Sequence, residues 1–127
     1  MARPRRGEVA QRPCRGDVYF VAFDPALGSE IQKTRPAVVV QNDIANRASP
    51  ITIIAAITSH GEGRRIYPTD IPVRAGEGGL TAPSVVLLNQ LRSVDRSRLI
   101  RRLGSLKPDT MKRINQALAI SLGLVEL

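Results

Sequence analysis

A chain of 127 residues and 13.8 kDa, 43% hydrophobic and 24% charged, has the length of one domain and a globular composition, which excludes a disordered chain. One cysteine, Cys14, and one histidine, His60, exclude an internal disulfide and any Cys/His metal cluster, and no Asp/Glu pair at helical or strand spacing suggests a carboxylate magnesium site. The net charge of +8 directs attention to a polyanionic partner.

Residues 1–13 hold four arginines and two prolines with almost nothing apolar, and read as a flexible basic extension. The opening runs into Glu8 and Gln11 rather than an apolar signal core, and no window approaches eighteen uncharged apolar residues, so a cytoplasmic protein without a membrane span is expected. The folded domain is expected over 14–127. Apolar runs at Val18 to Phe23, Ala37 to Gln41 and Ile51 to Thr58, each closed by turn residues, predict three strands. Weaker runs at Ile66 to Val73, broken by Pro68 and Pro72, and at Ser84 to Leu88 after a glycine-rich turn predict two more. A sixth fits Leu99 to Leu106. A short helical turn fits Asn42 to Arg47.

The period changes near the end of the chain. Pro108 suits a first helical turn, Asp109 its positive end, and Met111, Ile114, Leu118 and Leu122 recur at spacings of three, four and four, which predicts an amphipathic helix capped by Gly123. Leu124, Val125 and Leu127 then form a last apolar segment expected to pack on something. The fold class expected is mainly β with α: a strongly bent antiparallel sheet of five to seven short strands with a C-terminal helix.

Sixteen of the nineteen basic residues are arginine, whose planar fork suits phosphate. They concentrate in residues 1–15 and at Arg92, Arg96, Arg98, Arg101 and Arg102, so nucleic acid is the leading partner and a solvated basic face the alternative. Aromatics are confined to Tyr19, Phe20, Phe23 and Tyr67, too few for a base-stacking sheet. Familiar catalytic signatures are absent: no GxGxxG, Walker loop, GxSxG elbow or Cys/His dyad.

Three segments remain as candidates for chemistry. The long polar stretch Asp24 to Thr34 delivers Arg35 to a buried strand, and Pro36 holds Arg35 extended, as a positioned cation or as the partner of a carboxylate such as Glu30. Thr58 and Ser59 leave an apolar strand with hydroxyls placed for a phosphate oxygen or for an ordinary turn, and His60 follows them as an acid, a base or an exposed loop residue. Asn89 and Gln90 carry amides suited to base edges, or form a polar turn.

Arg15-Gly16-Asp17-Val18-Tyr19, Asp24-Pro25 with Gly28-Ser29-Glu30, Thr34-Arg35-Pro36-Ala37-Val38-Val39-Val40 with Asn42-Asp43, Ala56-Ile57-Thr58-Ser59, Ser84 to Arg92, Asp95 with Arg98-Leu99, and the terminal Gln116 to Leu124 occur in order. This ordered set resembles the MazF/PemK toxins of type II toxin–antitoxin systems, over residues 15–127. The resemblance implies an SH3-like barrel of the PemK/CcdB type, a homodimer, and a cofactor-independent, metal-free endoribonuclease for single-stranded RNA, held by a MazE-like antitoxin in a complex that binds DNA. It implies catalytic roles for Arg35 and Thr58, supporting or proton-transfer roles for Ser29 and Glu30, and RNA contacts at Lys33, His60, Ser84, Asn89 and Gln90. The chain departs from the usual pattern at Ile31, where glutamine commonly follows the Ser-Glu pair, and at His60, where lysine is frequent. A non-catalytic CcdB-like toxin and an RNA-binding barrel without cleavage are the alternatives.

Overall fold

The computed structural model describes residues 12–24, 33–59 and 66–126. Its strands are β1 (Asp17–Asp24), β2 (Lys33–Val39), β3 (Ile51–Ser59), β4 (Asp70–Val73), β5 (Ser84–Asp95) and β6 (Leu99–Ser105); its helices are α1 (Asp43–Ala48) and α2 (Pro108–Ser121). The strands make one antiparallel sheet in the order β4-β5-β3-β2-β1-β6. Both edges are accounted for by the chain itself: β4 carries the proline that excludes a central position, and β6 carries charge.

Alternation along the strands splits the apolar residues between two cores. Val18, Val38, Ala55, Ile57 and Val86 point to one face, where Leu106, Ile114 and Ala117 cover them. Tyr19, Val21, Ala37, Val39 and Ile54 point to the other and meet Val94 and Leu99, which the bend of the sheet brings over. Burial on both faces explains why Ala37-Val38-Val39-Val40 is continuously apolar rather than alternating. Each fully buried Val or Ile side chain contributes about 1.5–3 kcal/mol.

Helix α2 begins with Pro108 in its first turn and ends in a left-handed glycine. The Gly123 amide donates to the Ile120 carbonyl and the Leu124 amide to that of Ala119, a paired arrangement that satisfies the last carbonyls. Arg15 ties the helix to the sheet, its Nε donating to the Val40 carbonyl at 2.8 Å and its Nη2 to Asn115 Oδ1 at 2.7 Å. The Arg15 backbone amide and the Asn46 side chain both donate to Asp43, holding its carboxyl below the usual range.

The expected elements occur, with three differences. β5 runs to Asp95 instead of stopping near Leu88, because its second half pairs with the start of β3. The run from Ile66 forms a strand only from Asp70 onward, with Pro68 and Thr69 in a turn closed by the Asp70 amide on the Tyr67 carbonyl. Leu122, Leu124 and Val125 are exposed rather than packed on the sheet, and Leu127 lies outside the described residues.

One close approach fixes the 3-10 turn Glu77–Gly79 against β6. Gly79 has φ +75°, and a Cβ there would lie 2.1 Å from the Leu103 carbonyl oxygen. Gly79→Ala therefore combines left-handed strain with a backbone clash, and is expected to lower unfolding free energy by about 3 kcal/mol, read as a shifted urea midpoint.

Candidate functional site

Pro36 governs the site because it has no amide to donate. It pairs with Phe20 on its β1 side, while the β2–β3 ladder begins only at Ala37 opposite Ala56. Continuing that register by two residues sets Arg35 across from Thr58. Both share the side-chain parity of Ala37 and Ile54, so they lie on the face of the Tyr19–Leu99 core. Arg35 also stands directly opposite Val21, and Thr58 opposite Val85. Pro72, Val85 and Thr58 stand in one cross-strand row and Arg35, Val21 and Leu99 in another, and the β2–β3 register, continued past its last pair, aligns the two.

Arg35 is exposed, and among the described residues its guanidinium has no hydrogen bond, ion pair or ring contact. The Thr58 hydroxyl is half-buried and equally unengaged. An exposed guanidinium and a half-buried hydroxyl, each paired across the sheet with a buried valine, are two donors available to an anionic oxygen.

Asn89 and Gln90 sit in a bulge. Ala56 pairs with Leu87 and its neighbour Ala55 with Leu91, so Leu88, Asn89 and Gln90 stand outside the ladder. The bulge is pinned: the Leu88 amide donates to the Thr69 carbonyl, and the Leu88 carbonyl accepts from Ser121 Oγ at 2.7 Å. Both amide side chains are exposed and make no hydrogen bond among the described residues.

Ser84 goes elsewhere. It pairs with Ser59 and Val73 on the helix-covered face, is buried, and donates to the Ala82 carbonyl. The sheet lies between its hydroxyl and the Arg35 row. Lys33 opens β2, paired with Asp24, whereas Ser29, Glu30 and His60 fall outside the described residues.

The arginines that the charge count grouped together have divided roles. Arg98 donates to the carbonyls of Ala22 and Phe23 at 3.1 and 3.4 Å, and Arg96 to that of Ser49. Arg102 pairs with buried Asp17 at 3.3 Å, and Asp17 further accepts from Ser105 and the Cys14 amide. Arg92 and Arg101 lie over the rings of Phe23 and Phe20 at 5.5 and 5.3 Å. Arg92 pairs with Ile54 and so shares a face with Arg35. Sequence reading did not find the Phe23–Arg92 platform, which depends on the bend of the sheet. Cys14 is exposed and its thiol is pushed up, first by partial desolvation and then by Asp17 and Asp43, which disfavours a nucleophilic thiolate.

One six-stranded antiparallel sheet with a C-terminal helix, carrying an unengaged arginine on one face, defines a small, mainly β protein. The chain belongs to the family of PemK-like, MazF-like toxins of type II toxin–antitoxin systems, whose family model matches residues 14–122. It is 42% identical over 112 residues to endoribonuclease EndoA of Bacillus subtilis, covering 88% of this chain and 96% of that one. It is 43% identical over 110 residues to endoribonuclease MazF of Staphylococcus saprophyticus, covering 87% and 91%. Among solved structures, a mycobacterial endoribonuclease in complex with its cognate antitoxin superimposes with a TM-score of 0.72 at 30% identity, over 91% of this chain and 99% of that one.

Structural and unengaged arginines are separable by stability. Arg98→Ala removes the donor to two carbonyls and is expected to cost about 1–2 kcal/mol in chemical denaturation, whereas Arg35→Ala stays within about 0.5 kcal/mol of the parent.

Proposed function

We propose that the chain is the toxin of a type II toxin–antitoxin pair, a cytoplasmic, homodimeric endoribonuclease that cuts single-stranded RNA at a preferred sequence without a metal. The observation that carries the reading is the unengaged Arg35 guanidinium in one row with the Thr58 hydroxyl, on a sheet whose relatives bear the name endoribonuclease. The partner is a MazE-like antitoxin, by analogy with the mycobacterial complex.

RNA supplies its own nucleophile. The ribose 2′-oxygen attacks the adjacent phosphorus while its proton passes to a base, and the P–O5′ bond breaks as O5′ takes up a proton. The products are a 2′,3′-cyclic phosphate and a 5′-hydroxyl. The protein must then hold the phosphate, stabilise the extra negative charge of the phosphorane and manage two protons. Arg35 is assigned the charge and the proton donation to the strongly basic departing O5′ through its fork of donors, since a charged guanidinium has no acceptor with which to take the 2′-proton. Thr58 Oγ1 holds a non-bridging oxygen. Glu30 is assigned the 2′-proton or the orientation of Arg35, Ser29 a second hydrogen bond to the phosphate, and Lys33 and His60 contacts to the flanking backbone. Asn89 and Gln90 read bases, because the bulge presents both amides free of the ladder. Ser84 acts at one remove, by shaping the start of β5.

The test is incubation of the purified full chain with a long single-stranded RNA in EDTA, followed by mapping of the ends. Discrete cuts with cyclic-phosphate and 5′-hydroxyl termini are expected, falling by a factor of about 10² or more in Arg35→Ala. Intact RNA overturns the reading in favour of a binding toxin, and cutting unchanged by Arg35→Ala removes Arg35 from the chemistry. Asn89→Ala with Gln90→Ala is expected to broaden the cleaved sequences while leaving the end chemistry unchanged, as seen by sequencing the cut sites.

A further inference from the structure

A tight turn, Tyr67 to Asp70, lies against the bulge of β5. The Leu88 amide donates to the Thr69 carbonyl at 2.9 Å, and Asp70, next along the chain, pairs with Leu87. The turn is closed twice. The Asp70 amide donates to the Tyr67 carbonyl at 2.9 Å, and the Tyr67 amide donates to Asp70 Oδ2 at 3.1 Å. Asp70 is buried, so the carboxylate that holds Tyr67 is itself fixed by the core. Pro68 further restricts Tyr67 to an extended backbone.

What this clamped backbone carries is exposed: Tyr67 is 54% accessible and Ile66 before it 42%. Of the four aromatic residues, Tyr19 is buried, Phe20 and Phe23 are half-buried, and Tyr67 alone is exposed. A ring left half outside the core on a rigid turn is a platform of the kind on which a nucleobase stacks. Along β5 the bulge begins at Leu88, beyond Val85, the partner of Thr58, at a distance of about 10 Å by the rise of a strand. A nucleotide close to one whose phosphate lies at Thr58 therefore reaches it. Asn89 and Gln90 offer hydrogen bonds to a base edge there, but water offers the same bonds, so amides alone give little net affinity. An adjacent aromatic face supplies the apolar contact that the amides lack.

We infer that Tyr67 is a base-stacking residue, whose ring holds the nucleobase that Asn89 and Gln90 read, with Asp70 as the residue that positions it. The inference rests on the reading that RNA lies along this face. Stacking tolerates any base, so Tyr67 supplies grip and placement while the bulge amides choose among bases.

The chain has no tryptophan, so Tyr67→Trp introduces a single one at the platform. Short single-stranded 2′-fluoro RNAs of mixed sequence, which lack the attacking 2′-oxygen, are titrated into this variant. Binding is followed by anisotropy of a fluorescein label and stacking by tryptophan emission. Quenching at saturation is expected, and is lost when one particular nucleotide is made abasic. Tyr67→Ala is expected to bind about tenfold more weakly than the parent and Tyr67→Phe within about twofold of it, because stacking uses the ring and not the hydroxyl. An unchanged thermal unfolding midpoint separates this loss from a structural one, and Tyr67→Leu serves if Tyr67→Ala is destabilised. Unchanged emission at saturation, or parental affinity in the variant without the ring, overturns the inference. Parent and Tyr67→Ala are also incubated with unmodified RNA in EDTA. Cutting whose sites and rate Tyr67→Ala leaves unaltered overturns the stacking alone, whereas quenching by 2′-fluoro RNA without any cutting supports the stacking and overturns the ribonuclease reading. Absence of RNA binding by the parent overturns both.

Discussion

The missing amide of Pro36 is the constraint around which the site is arranged. A proline in a central strand must stand where one of its two ladders has ended, and here the β3 ladder ends one residue later in the chain, at Ala37. On its other side the strand stays paired with β1 through Lys33. β2 is therefore rigid along one edge and free along the other, and Arg35 projects from that half-anchored stretch. Buried Val21 is its partner across the β1 ladder. The guanidinium extends from this paired backbone and, among the described residues, is not consumed by an internal partner.

The two-sided core supports this arrangement. One face is closed by α2 and the other by the bend that brings Val94 and Leu99 over β1 and β2. Arginines serve as fasteners around the sheet: Arg98 on the end of β1, Arg92 and Arg101 over phenylalanine rings, Arg102 on Asp17. A formal charge of +8 therefore overstates the number of phosphate ligands, although the cations still contribute to the long-range field.

The strands β1 to β3 and helix α2 were legible because their periodicity and punctuation are local, and Gly123 marks its helix end through a conformation that glycine adopts at little cost. The length of β5 was not legible: Asn89 and Gln90 look like a turn, and only pairing with β3 reveals a strand that continues past them. The exposure of Leu122, Leu124 and Val125 is likewise invisible to a rule that buries apolar residues. For the site, Arg-Pro and Ile-Thr-Ser pointed to Arg35 and Thr58, and the register sets these two in one row. Ser84 belongs to a stretch that the resemblance associates with RNA contact, yet its side chain faces the other way, because one step along a strand reverses the side-chain direction.

The bulge in β5 separates what the chain must keep from what it is at liberty to change. Leu88 is anchored by its side chain in the core and by both backbone groups, so the strands on either side keep their register whatever stands at 89 and 90. Mutation at those two positions meets neither a ladder nor a core, and hence little selection from folding. With Asn89 and Gln90 assigned to base reading as proposed, a lineage of such proteins can drift in preference at this bulge while inheriting an unaltered scaffold, with divergence of preference decoupled from divergence of architecture.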